Sequence, residues 1–245
     1  MKAVIVAAGI SSRLRPLTDS IHKTLLNLGG KTLLDRIVEN LQVCGITDLI
    51  VVTGYKAEQL HAALCSRHDV QVTFVHNPLF AETNNAYSLS LTSDVVADEP
   101  FVLLDSDILF DWRILQHLIE SPYPDALALR TRGEIHAEDI KVIVDEQWRV
   151  TRIGKDVPLA EARGESIGIE KFTTAGPALF KTLRKRIKLG DGRNEFYEVA
   201  FQEMIDAGIN LYAVDAADLP CIEIDTPEDL AAAYTLAKGF SEHRG

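Results

Sequence analysis

Cysteine, cations and long apolar runs are all scarce in this chain, and each scarcity removes something. Of its 245 residues, 25 are Lys or Arg against 36 Asp or Glu, a net charge of −11 at pH 7. Such a balance argues against nucleic acid or an anionic membrane as the main partner, so any anion site must be a local exception. The three cysteines, Cys44, Cys65 and Cys221, are odd in number, far apart and without CxxC spacing. They offer no zinc site, suit a reducing cytoplasm and read as small buried hydrophobes. No apolar run approaches the ~20 residues that cross a bilayer. The opening MKAVIVAAG carries one lysine and ends in a turn, so it is expected not to be a signal peptide. There is no internal repeat, low-complexity tract or linker, and His22, His76 and His136 are too scattered for a triad or a metal site.

What is present is 47% hydrophobic content, enough for one sizeable core. KAVIVAA, DLIVVTGY, VQVTFVHN and PFVLLDSDILF read as strands, with TLLDRIVENLQVCG, AEQLHAALCSRH and NAYSLSLTSDVV as helices between them. This alternation predicts an α/β fold: a Rossmann-like, mostly parallel mixed sheet with helices on both faces. From about residue 123 the pattern changes. DALALRTR, DIKVIVDEQWRVTRI and ESIGIEKF predict antiparallel strands, with a hairpin turn at Glu146-Gln147. Helices over roughly 173–189 and 194–207, strands in NLYAVDA and CIEID, and a closing helix begun by Thr226-Pro227-Glu228 follow. The expectation is one domain over 1–245, with a nucleotide-binding half (1–122) and a smaller antiparallel and helical half (123–245).

Ligands of such sheets bind beyond the carboxyl ends of the strands, and two polar features fall there. The first strand empties into AAGISSRLRPLTDSIHK, with small residues for close approach (Ala7, Ala8, Gly9), hydroxyls (Ser11, Ser12) and cations (Arg13, Lys23). Backbone N–H groups with such cations bind phosphates. A G-x-G-x-x-G turn is missing, which disfavours a dinucleotide fold. Gly30-Lys31-Thr32 mimics the end of a P-loop, but Leu25 stands where its first glycine belongs and no strand precedes it. The second feature is Asp105-Ser106-Asp107. In an extended segment its two carboxylates would share a face and invite a cation such as Mg2+. Thr83, Asn84, Asn85 and Ser88, at the entry of an apolar helix, read as base or ribose contacts beyond what capping needs.

A strand followed by A-A-G-x-S-S-R-L-x-P-L-T and then a lysine resembles the signature of the nucleotidyltransferases that activate sugar phosphates and related esters. The resemblance runs from the opening strand to the closing helix. It implies that Gly9, Ser11 and Ser12 carry the phosphates of a nucleoside triphosphate, that Arg13 steadies the β and γ groups, and that Lys23 reaches the reacting phosphate. His22 replaces the proline usual before that lysine and is expected to loosen the backbone there. The resemblance also implies Asp107 as a Mg2+ ligand with Asp105 as helper, and Asp225, before T-P-E-D, as the second ligand. Asp229 is expected to serve only the helix start.

E-T-N-N-x-x-S-L is similar to the phosphocholine cytidylyltransferase branch and to enzymes acting on aminoethylphosphonate or inositol phosphate. That likeness implies Lys155 as a grip on the acceptor's phosphate, and Glu165, Glu195, Tyr197 and Glu198 as acceptor contacts. Trp112 and Tyr87 are candidate aromatic walls for a quaternary ammonium. The implied reaction is Mg2+-dependent transfer of CMP from CTP to a phosphate or phosphonate ester, in the cytoplasm, with a homodimer left open. UTP with a sugar 1-phosphate is an alternative. A metal-dependent glycosyltransferase would share the D-x-D triplet but not explain Ser11-Ser12-Arg13 with Lys23, and a non-catalytic nucleotide sensor would not need both metal carboxylates.

Overall fold

The computed structural model describes residues 1–190 and 192–242. The first half forms β1 (Lys2–Ala7), α1 (Leu33–Val43), β2 (Asp48–Thr53), α2 (Ala57–Cys65), β3 (Gln71–His76), α3 (Asn85–Ser90), α4 (Ser93–Val96) and β4 (Phe101–Asp105). The helix expected over NAYSLSLTSDVV is broken in two. Ser90 and Thr92 donate their hydroxyls to the carbonyls of Tyr87 and Leu89, competing with the helical ladder at the break. The strand expected over PFVLLDSDILF is also interrupted. A turn at Ser106 and Asp107 follows β4, and β5 (Ile108–Phe110) then leaves the main sheet.

After β5 come α5 (Trp112–Glu120), β6 (Asp125–Arg130), β7 (Lys141–Val144), β8 (Val150–Gly154), β9 (Gly164–Phe172), α6 (Gly176–Leu189), α7 (Glu198–Asp206), β10 (Tyr212–Asp215), β11 (Cys221–Glu223) and α8 (Pro227–Glu242). The main sheet runs β10-β6-β9-β4-β1-β2-β3, with the β7–β8 hairpin hanging from β9. Strands β1 to β4 pair in parallel, while β9 lies antiparallel between β4 and β6. One sheet therefore passes through both halves of the chain. The result is a mostly parallel mixed sheet flanked by helices. Among the described residues, no helix is long and apolar enough to cross a membrane.

Period-two patterning sends each strand into two cores. Ala3, Ile5 and Ala7 of β1 pack with α1, α5 and α8, while Val4 and Val6 pack with α3, α6 and α7. A central parallel strand covered on both faces must be apolar throughout, and β1 is buried from Ala3 to Ala7. Helix α1 is locked at its start by reciprocal bonds between Thr32 and Asp35.

The turn from β9 into α6 hangs on Asp125, 2% exposed at the head of β6. Its carboxylate accepts from the backbone N–H groups of Thr173, Thr174 and Ala175 and from the Thr174 hydroxyl. Asp125→Ala would take the acceptor from these four donors and leave the buried Ala175 N–H unpaired. We expect it to cost about 2–4 kcal/mol, read as a lowered thermal midpoint, with Asp125→Asn losing less.

Candidate functional site

Antiparallel pairing of β5 with β11 sets Ile108 opposite Glu223. The Ile224 N–H then donates to the Asp107 carbonyl at 2.9 Å. This short ribbon is what brings Asp107 beside Asp225. Glu223 joins them: oxygens of Asp107, Glu223 and Asp225 all lie within 4.8 Å of one another. Glu223 was not singled out from the sequence, although its i, i+2 spacing from Asp225 at the end of a strand would place both on one face. Asp229 closes a capping box with Thr226, accepting from its N–H and hydroxyl while donating its own N–H back to Thr226 Oγ1. That is the helix-start role expected of it.

Lys23, 6% exposed, places its ammonium between these acids, 2.8 Å from Asp107 and 2.9 Å from Asp225. Arg13, far more exposed, reaches Asp225 at 2.6 Å. Burial alone would lower the Lys23 pKa, but the charges of Asp107 and Asp225 outweigh it and hold the group firmly protonated. At Asp225, burial pushes upward and Lys23 and Arg13 prevail, leaving it below the usual carboxylate range. Glu223 is pushed up by burial and by the charges of Asp107 and Asp225.

Asp105 lines the same cleft as Asp107 but stands outside the Asp107–Glu223–Asp225 group. The turn at Ser106 and Asp107 ends the strand alternation, and burial, with the charges of Asp107 and Glu198, pushes the pKa of the Asp105 carboxyl up. Gly168 of β9, at φ +67°, leaves room for it: a Cβ there would stand 2.7 Å from Asp105 Oδ2.

His22 does not loosen the loop before Lys23. Its φ of −66° is one a proline would impose, and hydrogen bonds hold it there. Nε2 donates to the Ala7 carbonyl at 3.1 Å, and Nδ1 accepts from the Thr24 N–H at 3.2 Å. Burial lowers its pKa to about 4, so the ring is neutral. Lys23 is thereby tied to the last residue of β1. The Ser11 carbonyl, in a left-handed residue at φ 54°, accepts from Leu14 N–H and the Thr18 hydroxyl.

A cleft of about 770 Å³ opens over these groups. It is lined by Ala8, Gly9, Ser11, Ser12, Arg13 and Lys23, by Thr83, Asn84, Asn85 and Ser88, by Asp105, Asp107 and Asp225, and by Lys155, Glu165 and Glu198. A Cβ on Gly9 would meet no protein atom within 4 Å. Asn77, fully buried and not foreseen, donates to Thr83 Oγ1 and Ser88 Oγ and so fixes that wall. The Asn84 N–H donates to the Arg193 carbonyl and the Tyr197 N–H donates to Asn85 Oδ1.

Five expected contacts fall elsewhere. Ala7 is packed in the core and offers only its carbonyl to His22. Trp112 opens α5, which turns away from the cleft, with its carbonyl near Cys44 Sγ. Tyr87 does not line the cleft; its carbonyl accepts from Ser90. Glu195 is gripped by Arg186 of α6 through two contacts of 2.6 Å. Tyr197 caps α7 and is fully buried behind the cleft wall; Asn194 is not the cap. A run of alternating acids and aromatics cannot say which members face inward when no helix has yet begun.

At the far end, Lys155 lies 4.5 Å from the Phe196 ring centroid and 3.7 Å from Glu138. Glu165 is pushed up to about 7 by burial despite its 2.6 Å pair with Arg130. Burial pushes Asp105 and Glu170 up, and the charge of Glu198 pushes both further. Burial lifts Glu198 to about 7.

A family model described as the MobA-like NTP transferase domain matches residues 3–185. The choline-phosphate cytidylyltransferase of Streptococcus pneumoniae is 26% identical over 236 residues, 94% of this chain and 95% of that protein. The 2-aminoethylphosphonate cytidylyltransferase of Lancefieldella rimae is 22% identical over 232 residues, 94% and 90% of the two chains. The solved structure of the inositol-1-phosphate CTP transferase from T. maritima superposes with a TM-score of 0.82 at 24% identity, covering 97% and 94%. At that identity the likeness speaks for the fold.

His22 generates a pH prediction. With an ordinary pKa of 6.5 unfolded and about 4 folded, the unfolded chain binds more protons between those values. The stabilisation is complete above 6.5 and fades as pH falls towards 4. Urea unfolding at pH 5 should show about 2 kcal/mol less from this group than at neutral pH, a loss absent from His22→Ala.

Proposed function

We propose, from the premise that this chain belongs to the MobA-like NTP transferase domain family, that it transfers CMP from CTP to the phosphate or phosphonate of a small ester. That it is a nucleotidyltransferase follows from the family; the nucleotide, the metal and the acceptor are our reading. The observation carrying it is the meeting of a cationic loop, Arg13 and Lys23, with the carboxylates of Asp107, Glu223 and Asp225 on one cleft. A triphosphate needs the first, and a divalent cation neutralising it needs the second. CTP is supported by the relatives named for cytidylyl transfer and by the polar wall of Thr83, Asn84, Asn85 and Ser88.

The three carboxylates offer hard oxygen donors within a few ångströms, a set that suits Mg2+. Asp107, Glu223 and Asp225 would hold it, and when bound it supplies positive charge against the donor and acceptor phosphate oxygens.

The remaining work belongs to the chain. Gly9, with no Cβ to fill the cleft, and the Ser11–Ser12 turn admit the triphosphate to the backbone. The acceptor's own phosphate oxygen is the nucleophile. A phosphate monoester has a second pKa of about 6 and is largely dianionic at neutral pH, so no general base is required. The oxygen bonds to the α-phosphorus while the bond from that phosphorus to the bridging oxygen breaks, and its electron pair leaves with pyrophosphate. Lys23 and Arg13 stabilise the charge that grows on both. On this reading Lys155, which lines the cleft, meets the acceptor's phosphate.

The test is a pyrophosphate-release screen of the four nucleoside triphosphates against choline phosphate, aminoethylphosphonate, inositol phosphate and sugar phosphates. CTP with one of the first three should give turnover that a chelator removes. Turnover with UTP and a sugar 1-phosphate, or insensitivity to chelation, would overturn the reading. Lys23→Ala is expected to lower turnover by about 100-fold or more with a much smaller effect on stability; near-normal turnover would remove Lys23 from the chemistry. Gly9→Ala should fold normally, since its methyl meets no protein atom, yet raise the KM for nucleotide by about tenfold or more.

A further inference from the structure

The segment that carries Lys23 is held from two sides, and only one of them belongs to the cleft. Asp107 and Asp225 take the ammonium. The backbone just before Lys23 is taken by Gln59, in the first turn of α2, which is not among the described residues lining the cleft. Gln59 Oε1 accepts from the His22 N–H at 2.8 Å, and Gln59 Nε2 donates to the Ser20 carbonyl at 2.9 Å. Both ends of one amide are used on the same short stretch. The support behind it is firm, because Leu60 and Leu64 of α2 are packed in the core. Tyr55, just before α2, adds to it: its hydroxyl donates to the Thr18 carbonyl at 2.9 Å and its N–H to the Ala8 carbonyl at 3.1 Å.

A neutral amide is what these two partners ask for. A carboxylate could take the His22 N–H but would turn a lone pair on the Ser20 carbonyl, and an aliphatic chain would serve neither. What the amide fixes is the point from which Lys23 departs. The His22 carbonyl accepts from the Leu25 N–H at 2.9 Å, opening a short 3-10 turn, Lys23–Leu25, with Lys23 as its first residue.

The reaction makes this hold matter. In the structure the two carboxylates orient the ammonium. During transfer the same ammonium must answer the charge growing around the α-phosphorus and the leaving pyrophosphate, and its bonds to the acids loosen as it does so. A lysine is a point charge on a flexible stem, so its fixed reference is then its own backbone. A misplacement of about 1 Å can cost about 100-fold in rate.

Resting on the nucleotidyl-transfer reading above, we infer that Gln59 is a positioning residue for Lys23. From outside the cleft, through the His22 N–H, it sets the backbone from which the ammonium reaches the reacting phosphate. It touches no substrate, so its loss slows the chemistry and spares nucleotide affinity.

The experiment compares wild type, Gln59→Leu, His22→Pro and the double variant by pyrophosphate release, with the triphosphate and acceptor that the wild type turns over best, and records thermal midpoints alongside. His22→Pro fixes the same φ covalently and deletes the N–H that Gln59 binds. Gln59→Leu is expected to lower kcat by about tenfold or more, with the KM for nucleotide changed by less than about threefold. In the His22→Pro background the same substitution should cost less than about threefold in kcat, because the two changes act on one contact. A normal kcat in Gln59→Leu, an effect confined to KM or to the midpoint, or an undiminished loss in the His22→Pro background would overturn the assignment and leave nucleotidyl transfer standing. No release by the wild type with any triphosphate and any acceptor would sink the functional reading and this assignment with it. Should His22→Pro fail to fold, Gln59→Leu decides alone, by whether kcat or KM moves.

Discussion

One buried ammonium holds the site together. Asp107, Glu223 and Asp225 crowd their oxygens within 4.8 Å, an arrangement that Coulomb repulsion would open if nothing opposed it. Lys23 sits between two of them and is itself tolerable at 6% exposure only because they are there. Each charge lowers the cost of burying the other. The loop that carries the cation comes from the end of β1, and the acids come from a ribbon formed by strands far apart in the chain. The charge contact therefore joins the opening of the chain to its close, across a molecule whose net charge is −11.

Much of this was legible because it is written locally. Strands β1, β2 and β4 announce themselves as unbroken apolar runs, and the phosphate loop carries its small residues, hydroxyls and cations within one segment. Asp225 was recognisable from the helix start that follows it. What could not be read depends on contacts between segments. Glu223 acquires its meaning only when β11 pairs with β5. His22 looked like the loss of a proline, yet a hydrogen bond to Ala7 gives it the same φ by another route. Trp112, Tyr87, Glu195 and Tyr197 had the right chemistry for an acceptor pocket, but α5, Ser90, Arg186 and the α7 cap claim them. Composition named the kinds of groups the cleft would use; packing chose which ones.

The two acidic groups obey different rules. Lys23 and Asp225 answer one another, and their pKa values move towards the ionised forms, while Glu223 beside them is pushed towards its neutral form. Around Asp105, Glu170 and Glu198 no ion pair forms among the described residues, and burial moves them towards the neutral forms. Natural cores avoid such groups unless function demands them. The bulge at Gly168, which clears space for Asp105, shows that the backbone itself is shaped around this cost.

The two cleft walls that carry Asn84 and Glu198 are also tied together. Asn84 is hydrogen-bonded to Arg193, and Asn85 to the amide of Tyr197, the residue immediately before Glu198. A shift of one wall is thus transmitted mechanically to the other through two rigid tethers. The loop around Asn84 and Asn85 and the start of α7 form one braced frame, so a substitution that moves one will move its neighbour.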